Sequence, residues 1–108
     1  YPGLAGGDPL QLIGREMDGA GSTMAFELLS TDPQAPARVM SSLDLITPAV
    51  SLGCTDSLIQ HPASLTHRVV DAQVREAHGI SAQLLRLSVG LEHEDDLWAD
   101  LERALARV

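Results

Sequence analysis

Residues 51–67, SLGCTDSLIQHPASLTH, crowd a thiol, an acid, several hydroxyls and two histidines into one short run. A metal site is the first chemistry to test. Cys54, His61 and His67 are separated by six and five residues, which matches no common zinc spacing. His61-Pro62 therefore reads as a structural turn, and His67 as a side chain hydrogen-bonded to backbone. A nucleophilic Cys54 would need a cation beside it to stabilise the thiolate; none stands nearby in sequence, and Asp56 disfavours the anion. An ordinary free thiol is the expectation. The acidic run Glu92–Asp96 could suggest cation binding, but its place at the start of a helix accounts for it through the helix dipole.

Arg86 is a different case. It stands between leucines in QLLRLSVG, and burying a guanidinium there is costly without a partner anion. Two readings stay open. One is a salt bridge to one of the fifteen acids of the chain. The other is a ligand carboxylate or phosphate held by both arms of the guanidinium fork.

The elements that must position these residues follow from periodicity. Asp8, Pro9 and Gln11 predict a helix start, with Leu10, Ile13 and Met17 at helical spacing and Gly19 and Gly21 ending it. STMAFELL alternates, so a strand is expected with Met24, Phe26 and Leu28 on one face. Asp32-Pro33 opens a second helix carrying Val39, Met40 and Leu43 inward, with Pro36 tolerable only in its first turn. Residues 45–52 predict a short strand running into Gly53. Residues 54–67 read as irregular, one helical turn and then an extended piece at Pro62. Asp71 caps a short helix through Glu76 that stops at Gly79. Residues 83–90 form a strand with Leu85, Leu87 and Val89 on one face and Leu84, Arg86 and Ser88 on the other. The chain closes with an amphipathic helix whose stripe is Leu97, Leu101, Leu105 and Val108, acidic at its start and basic, through Arg103 and Arg107, near its end. Interleaved helices and strands predict an α/β (α+β-like) class, a small, mostly antiparallel sheet covered by helices.

Composition narrows the function. With 108 residues and 44% hydrophobic side chains the chain should fold as one domain. A net charge of −8 argues against a nucleic-acid or anionic-membrane surface. No apolar run approaches the roughly 20 residues of a membrane span, no signal peptide is visible, and a single cysteine fits a reducing compartment. A soluble, cytoplasmic protein is expected. All seven cations are arginine, so amine chemistry such as a Schiff base is beyond these residues alone. The opening at Tyr1, on a turn-like YPG without an initiator methionine, suggests part of something longer.

YPGL, AFEL, SLG with SLIQHPASLTH, Gly79-Ile80, and RLSVGLE followed by DDLWADLERAL occur in the order seen at the C-terminal end of pyridoxal-phosphate enzymes of cysteine and methionine metabolism. The chain resembles that trans-sulfuration family over nearly its whole length, least over 5–21 and 30–44. Leu65, where the family often has Met, His93, where it often has an acid, and GGDP in place of SHP are departures. The resemblance implies that residues 1–108 are the small C-terminal domain of a larger fold-type I enzyme, with the cofactor-binding domain, its lysine and its phosphate ligands upstream. It implies that Arg86 binds the α-carboxylate of a sulfur amino-acid substrate. Ser51 helps through its backbone and hydroxyl, and Val50 and Leu52 border the same place. No catalytic, cofactor-binding or metal residue is expected within the chain.

Among the branches, cystathionine γ-synthases and γ-lyases tend to carry Glu immediately before the serine, and the sulfhydrylases of O-acetylhomoserine replace SLG. With Val50 there, AVSLGCTDSLIQHPAS is most similar to methionine γ-lyase, which implies α,γ-elimination of methionine to methanethiol, 2-oxobutanoate and ammonia. The resemblance also implies a homotetramer, a dimer of dimers with cofactor sites completed across the dimer interface. The contrasting expectation is a free-standing binding module that kept the fold without catalysis.

Overall fold

The computed structural model describes residues 1–108 and contains one four-stranded sheet and three helices. Strands β1 (Thr23–Glu27), β2 (Thr47–Pro48), β3 (Leu58–Gln60) and β4 (Leu84–Ser88) lie in the order β1-β4-β3-β2. β4 pairs antiparallel with β1 and β3, and β2 runs parallel to β3. Helices α1 (Ala35–Ser41) and α3 (Glu94–Leu105) cover one face, while α2 (Ala72–Ala77) buries no residue. This is the mixed, mostly antiparallel class expected. No helix is long and apolar enough to cross a membrane.

The core lies between the sheet and the two helices. Register puts Met24 opposite Leu87 and Phe26 opposite Leu85, with Ile59 opposite Leu87 from the other side. Val39, Ile46, Ile59 and Leu85 are buried there with Ala104 of α3. The alternation read in STMAFELL and in Leu85, Leu87, Val89 is this face. Its reverse carries Ala25, Gln60 and Arg86 at one register level, because paired residues of a ladder point the same way.

Three expectations need correction. No helix forms over 8–17. The Asp8 carboxylate does not cap the first turn but accepts from the N–H groups of Leu12 and Ile13, both at 2.9 Å, and Gln11 adopts a left-handed φ of 52°. The result is a string of turns with a single bridge between Ile13 and Met17. Residues 54–67 are not all irregular, since they supply β3. Pro62 sits in a turn rather than an extended piece, with His67 N–H donating to its carbonyl at 2.9 Å. Finally, Val108 lies beyond α3 and is 44% exposed, so it is not on the apolar stripe.

The expected strand over 45–52 shrinks to two residues; it bonds to β3 through the N–H groups of Thr47 and Ala49, so Pro48 stands where a missing N–H faces the sheet edge and costs no bond. The helix after Asp32-Pro33 starts at Ala35 and holds Pro36 in its first turn, as it must. Asp71 caps α2 by accepting from Gln73 N–H at 2.9 Å. His93 caps α3: its Nδ1 accepts from Asp95 N–H at 3.3 Å, so this departure from an acid keeps the acceptor that the position requires.

Candidate functional site

The site is built where the loop 49–57 arches over the outer face of β4. Two anchors hold the loop down. Ser88, 1% exposed, accepts from Gly53 N–H at 2.9 Å through its hydroxyl, and the turn at Gly53 needs a φ of 72° that glycine takes without strain. Further along, Ser57 N–H and hydroxyl donate to the Glu92 carboxylate at 2.7 and 2.8 Å. The same hydroxyl accepts from Gly90 N–H at 2.8 Å. Gly90 is obligatory, since a Cβ there would stand 2.3 Å from the Thr55 carbonyl oxygen. The Ser57 backbone bond, then Glu92's own N–H, outweigh burial and hold the Glu92 carboxyl below its usual range.

Arg86 lies under this loop, half-buried. Its Nη2 donates to the Ser51 carbonyl at 2.9 Å, and none of the salt bridges of the chain includes it. Its Nε is buried without a partner. The salt-bridge alternative for Arg86 is therefore absent, and most of its five donors remain unused. Ser51 N–H donates to no backbone carbonyl, and its hydroxyl lies 3.9 Å from Cys54 Sγ. Val50 and Leu52, 62% and 55% exposed, flank it on an open surface. A guanidinium joined to the Ser51 backbone, with that residue's N–H and hydroxyl and two apolar side chains nearby in the same loop, can hold an anion with an apolar tail.

The other sequence candidates go elsewhere. No group of three or more His, Cys, Asp or Glu is arranged to hold a metal ion. His61 Nε2 lies 2.9 Å from the Ala82 carbonyl, so it carries the proton, and Nδ1 accepts from the Ser64 hydroxyl at 2.9 Å. This histidine pins its turn to the start of β4. His67 Nδ1 bonds the Thr66 hydroxyl rather than backbone, which corrects the expectation for His67, while the structural turn expected at His61-Pro62 is present. Cys54 is free and exposed. Gln60, Ser88 and the Ser57–Glu92 clamp were not legible in sequence, because each role depends on which strands pair.

Comparison with known proteins defines the class. Residues 1–106 match the model of the Cys/Met metabolism PLP-dependent enzymes, and the chain belongs to that family. Among its relatives, an L-methionine gamma-lyase of Streptomyces avermitilis is 58% identical over 85 residues, covering 79% of this chain and 20% of the relative. One from Brevibacterium aurantiacum is 52% identical over 97% of this chain and 25% of its own length. A solved cystathionine gamma synthase from Xanthomonas oryzae, in complex with cystathionine, superposes with a TM-score of 0.86 at 44% identity, covering 99% of this chain and 27% of that one. The chain thus spans about a quarter of the length of the proteins it matches.

Proposed function

We propose that the chain is the C-terminal, substrate-carboxylate-binding domain of a pyridoxal-phosphate-dependent carbon–sulfur lyase. The whole enzyme would cleave L-methionine by α,γ-elimination to methanethiol, 2-oxobutanoate and ammonia. The observation that carries this reading is Arg86, a half-buried guanidinium with no acid of its own, one arm on the Ser51 carbonyl and its other donors without partners. In this reading Arg86 takes the substrate carboxylate through its fork, while Ser51 adds its N–H and hydroxyl. A carboxylate locked in a plane fixes the orientation of the adjoining Cα. Val50 and Leu52 offer an apolar wall to a thioether tail. The names of the relatives support methionine over cystathionine, as does Val50, which gives a distal ammonium nothing to pair with.

Pyridoxal 5′-phosphate does not fit these 108 residues by themselves. There is no lysine amine for a Schiff base, and Arg38 and Arg103 are spent on Asp32, Asp44 and Asp100. The cofactor would be held by a further domain, and assembly as a homotetramer belongs to the same proposal.

The test is steady-state kinetics of Arg86→Ala and Arg86→Lys in the complete enzyme, beside a spectrum of bound cofactor. Removing one partner of a buried charge pair costs about 2–5 kcal/mol, roughly thirty- to several-thousand-fold in kcat/KM. Lysine should recover only part, since a point charge lacks the fork. Cofactor content should stay normal. An Ala variant of near-normal efficiency would sink the assignment.

A further inference from the structure

Gln60 and Arg86 are register partners across the β3–β4 pair, so both side chains leave the same face of the sheet about 4.5–5.5 Å apart at Cβ. Gln60 is 2% exposed, yet its Oε1 has no hydrogen-bond partner. Arg86 Nε is buried and unpartnered as well. A buried acceptor and a buried donor, complementary and adjacent, are both left unmade, and native proteins seldom tolerate this without a use for it. The other such atom, Gln83 Oε1, belongs to an amide already anchored through Nε2 to the Asp32 carbonyl at 3.0 Å.

We propose that Gln60 is a positioning residue that sets the angle of the Arg86 fork by taking its Nε–H on Oε1 when substrate is bound. This rests on the reading of Arg86 as the carboxylate ligand. Counting donors shows what the contact does. A guanidinium can meet a carboxylate end-on, through Nη1 and Nη2, or side-on, through Nε and one Nη. With Nε–H committed to Gln60 the side-on approach is closed, and the carboxylate is left to the Nη groups. The plane of the guanidinium is then held from both sides, by β3 below and the 49–57 loop above. Without Gln60 the fork can swing and accept the carboxylate by either edge, and the bound substrate loses its single orientation.

The experiment uses the complete enzyme with Gln60→Leu and Gln60→Met, each alone and each combined with Arg86→Lys. Loss of one charge-assisted hydrogen bond predicts about a tenfold rise in KM for methionine, with kcat changed less. Neither variant should melt lower than the parent, since a buried carbonyl oxygen without a partner is being replaced by an apolar group in a side chain of similar size. Lysine has no Nε–H, so in the Arg86→Lys background the same substitutions should change kcat/KM by less than about twofold. Equal losses in both backgrounds, no loss in either, or a lowered melting temperature in both Gln60 variants would overturn the proposal and make Gln60 a structural residue. An Arg86→Lys enzyme of full efficiency would instead overturn the carboxylate reading itself, and the two failures are thereby told apart.

Discussion

Val50 stands immediately before Ser51 and shares a shallow surface hollow with Leu65 and Arg68. Its exposure in the chain alone leaves it available to a substrate tail. If it selects a thioether over a distal ammonium, Val50→Glu in the complete enzyme should lower kcat/KM for methionine and raise it for cystathionine. A partly solvated charge is worth about 1 kcal/mol, so the ratio of the two efficiencies should move on the order of tenfold across both changes. Competition kinetics with both substrates measures it, and an unchanged ratio would remove Val50 from the specificity surface. At this scale the sequence was informative wherever residue type restricts chemistry. An arginine among strand leucines raises the question of its partner whatever the fold. Gln60 raises no such question, and only its burial beside Arg86 gives it a role.

Among the elements, α3 does more than cover the sheet. Its Asp100, 3% exposed, accepts from the N–H groups of Asp44, Leu45 and Ile46 at 2.9, 3.0 and 2.9 Å and from Arg103. This carboxylate holds the chain that enters β2 and so places the loop that follows. Burial by itself would raise its pKa. The three backbone donors and then Arg103 outweigh that, and the carboxyl is held below its ordinary 3.8. A depressed folded value means that the stabilisation is complete above the unfolded value. It is lost as pH falls through the folded one, so the window lies below about pH 4. Chemical denaturation of the complete enzyme between pH 6 and pH 2.5 should show this fall, and Asp100→Asn should flatten part of it. Asp100→Ala, which strands three backbone donors, that of Ile46 buried, should cost about 2–3 kcal/mol at neutral pH; a loss under about 1 kcal/mol would contradict the geometry. Nothing in the sequence sets Asp100 apart from the other acids of its helix. β3 was hidden as well. Leu58, Ile59 and Gln60 are all buried, since the strand lies inside the sheet with both faces covered, and three residues without alternation carry no period to read.

At the scale of the whole molecule the surface is too large for the mass. The chain exposes 7081 Å², where a compact protein of 11.5 kDa exposes about 5,800 Å². Its radius of gyration is 14.5 Å against roughly 13 Å for this length. Leu4, Leu10, Leu29, Val69, Leu91 and Trp98 are all more than 60% exposed, and an apolar hollow opens between α3 and the sheet among Met24, Leu97, Trp98 and Leu101. Surface of this kind calls for a partner. The 108-residue chain by itself should therefore self-associate in sedimentation velocity. With added pyridoxal phosphate it should give neither lyase turnover nor a Schiff-base absorption band. A clean monomer would count against its being one domain of a larger body, and a Schiff-base band would contradict the absence of lysine.

What the amino-acid order determined on its own was the α/β class, the two strands with clear alternation, the last helix and the family resemblance. These follow from local periodicity and residue chemistry, which act over a few residues. The tertiary structure decided the rest: that Arg86 has no acid but leans on the Ser51 carbonyl, that Gln60 lies beside it, and that Ser88, Glu92 and Asp100 hold the loops in place. Their hydrogen bonds join residues 33 to 56 positions apart. Contacts at that distance depend on which strands pair and in what register, and strand pairing is settled by burial across the whole core.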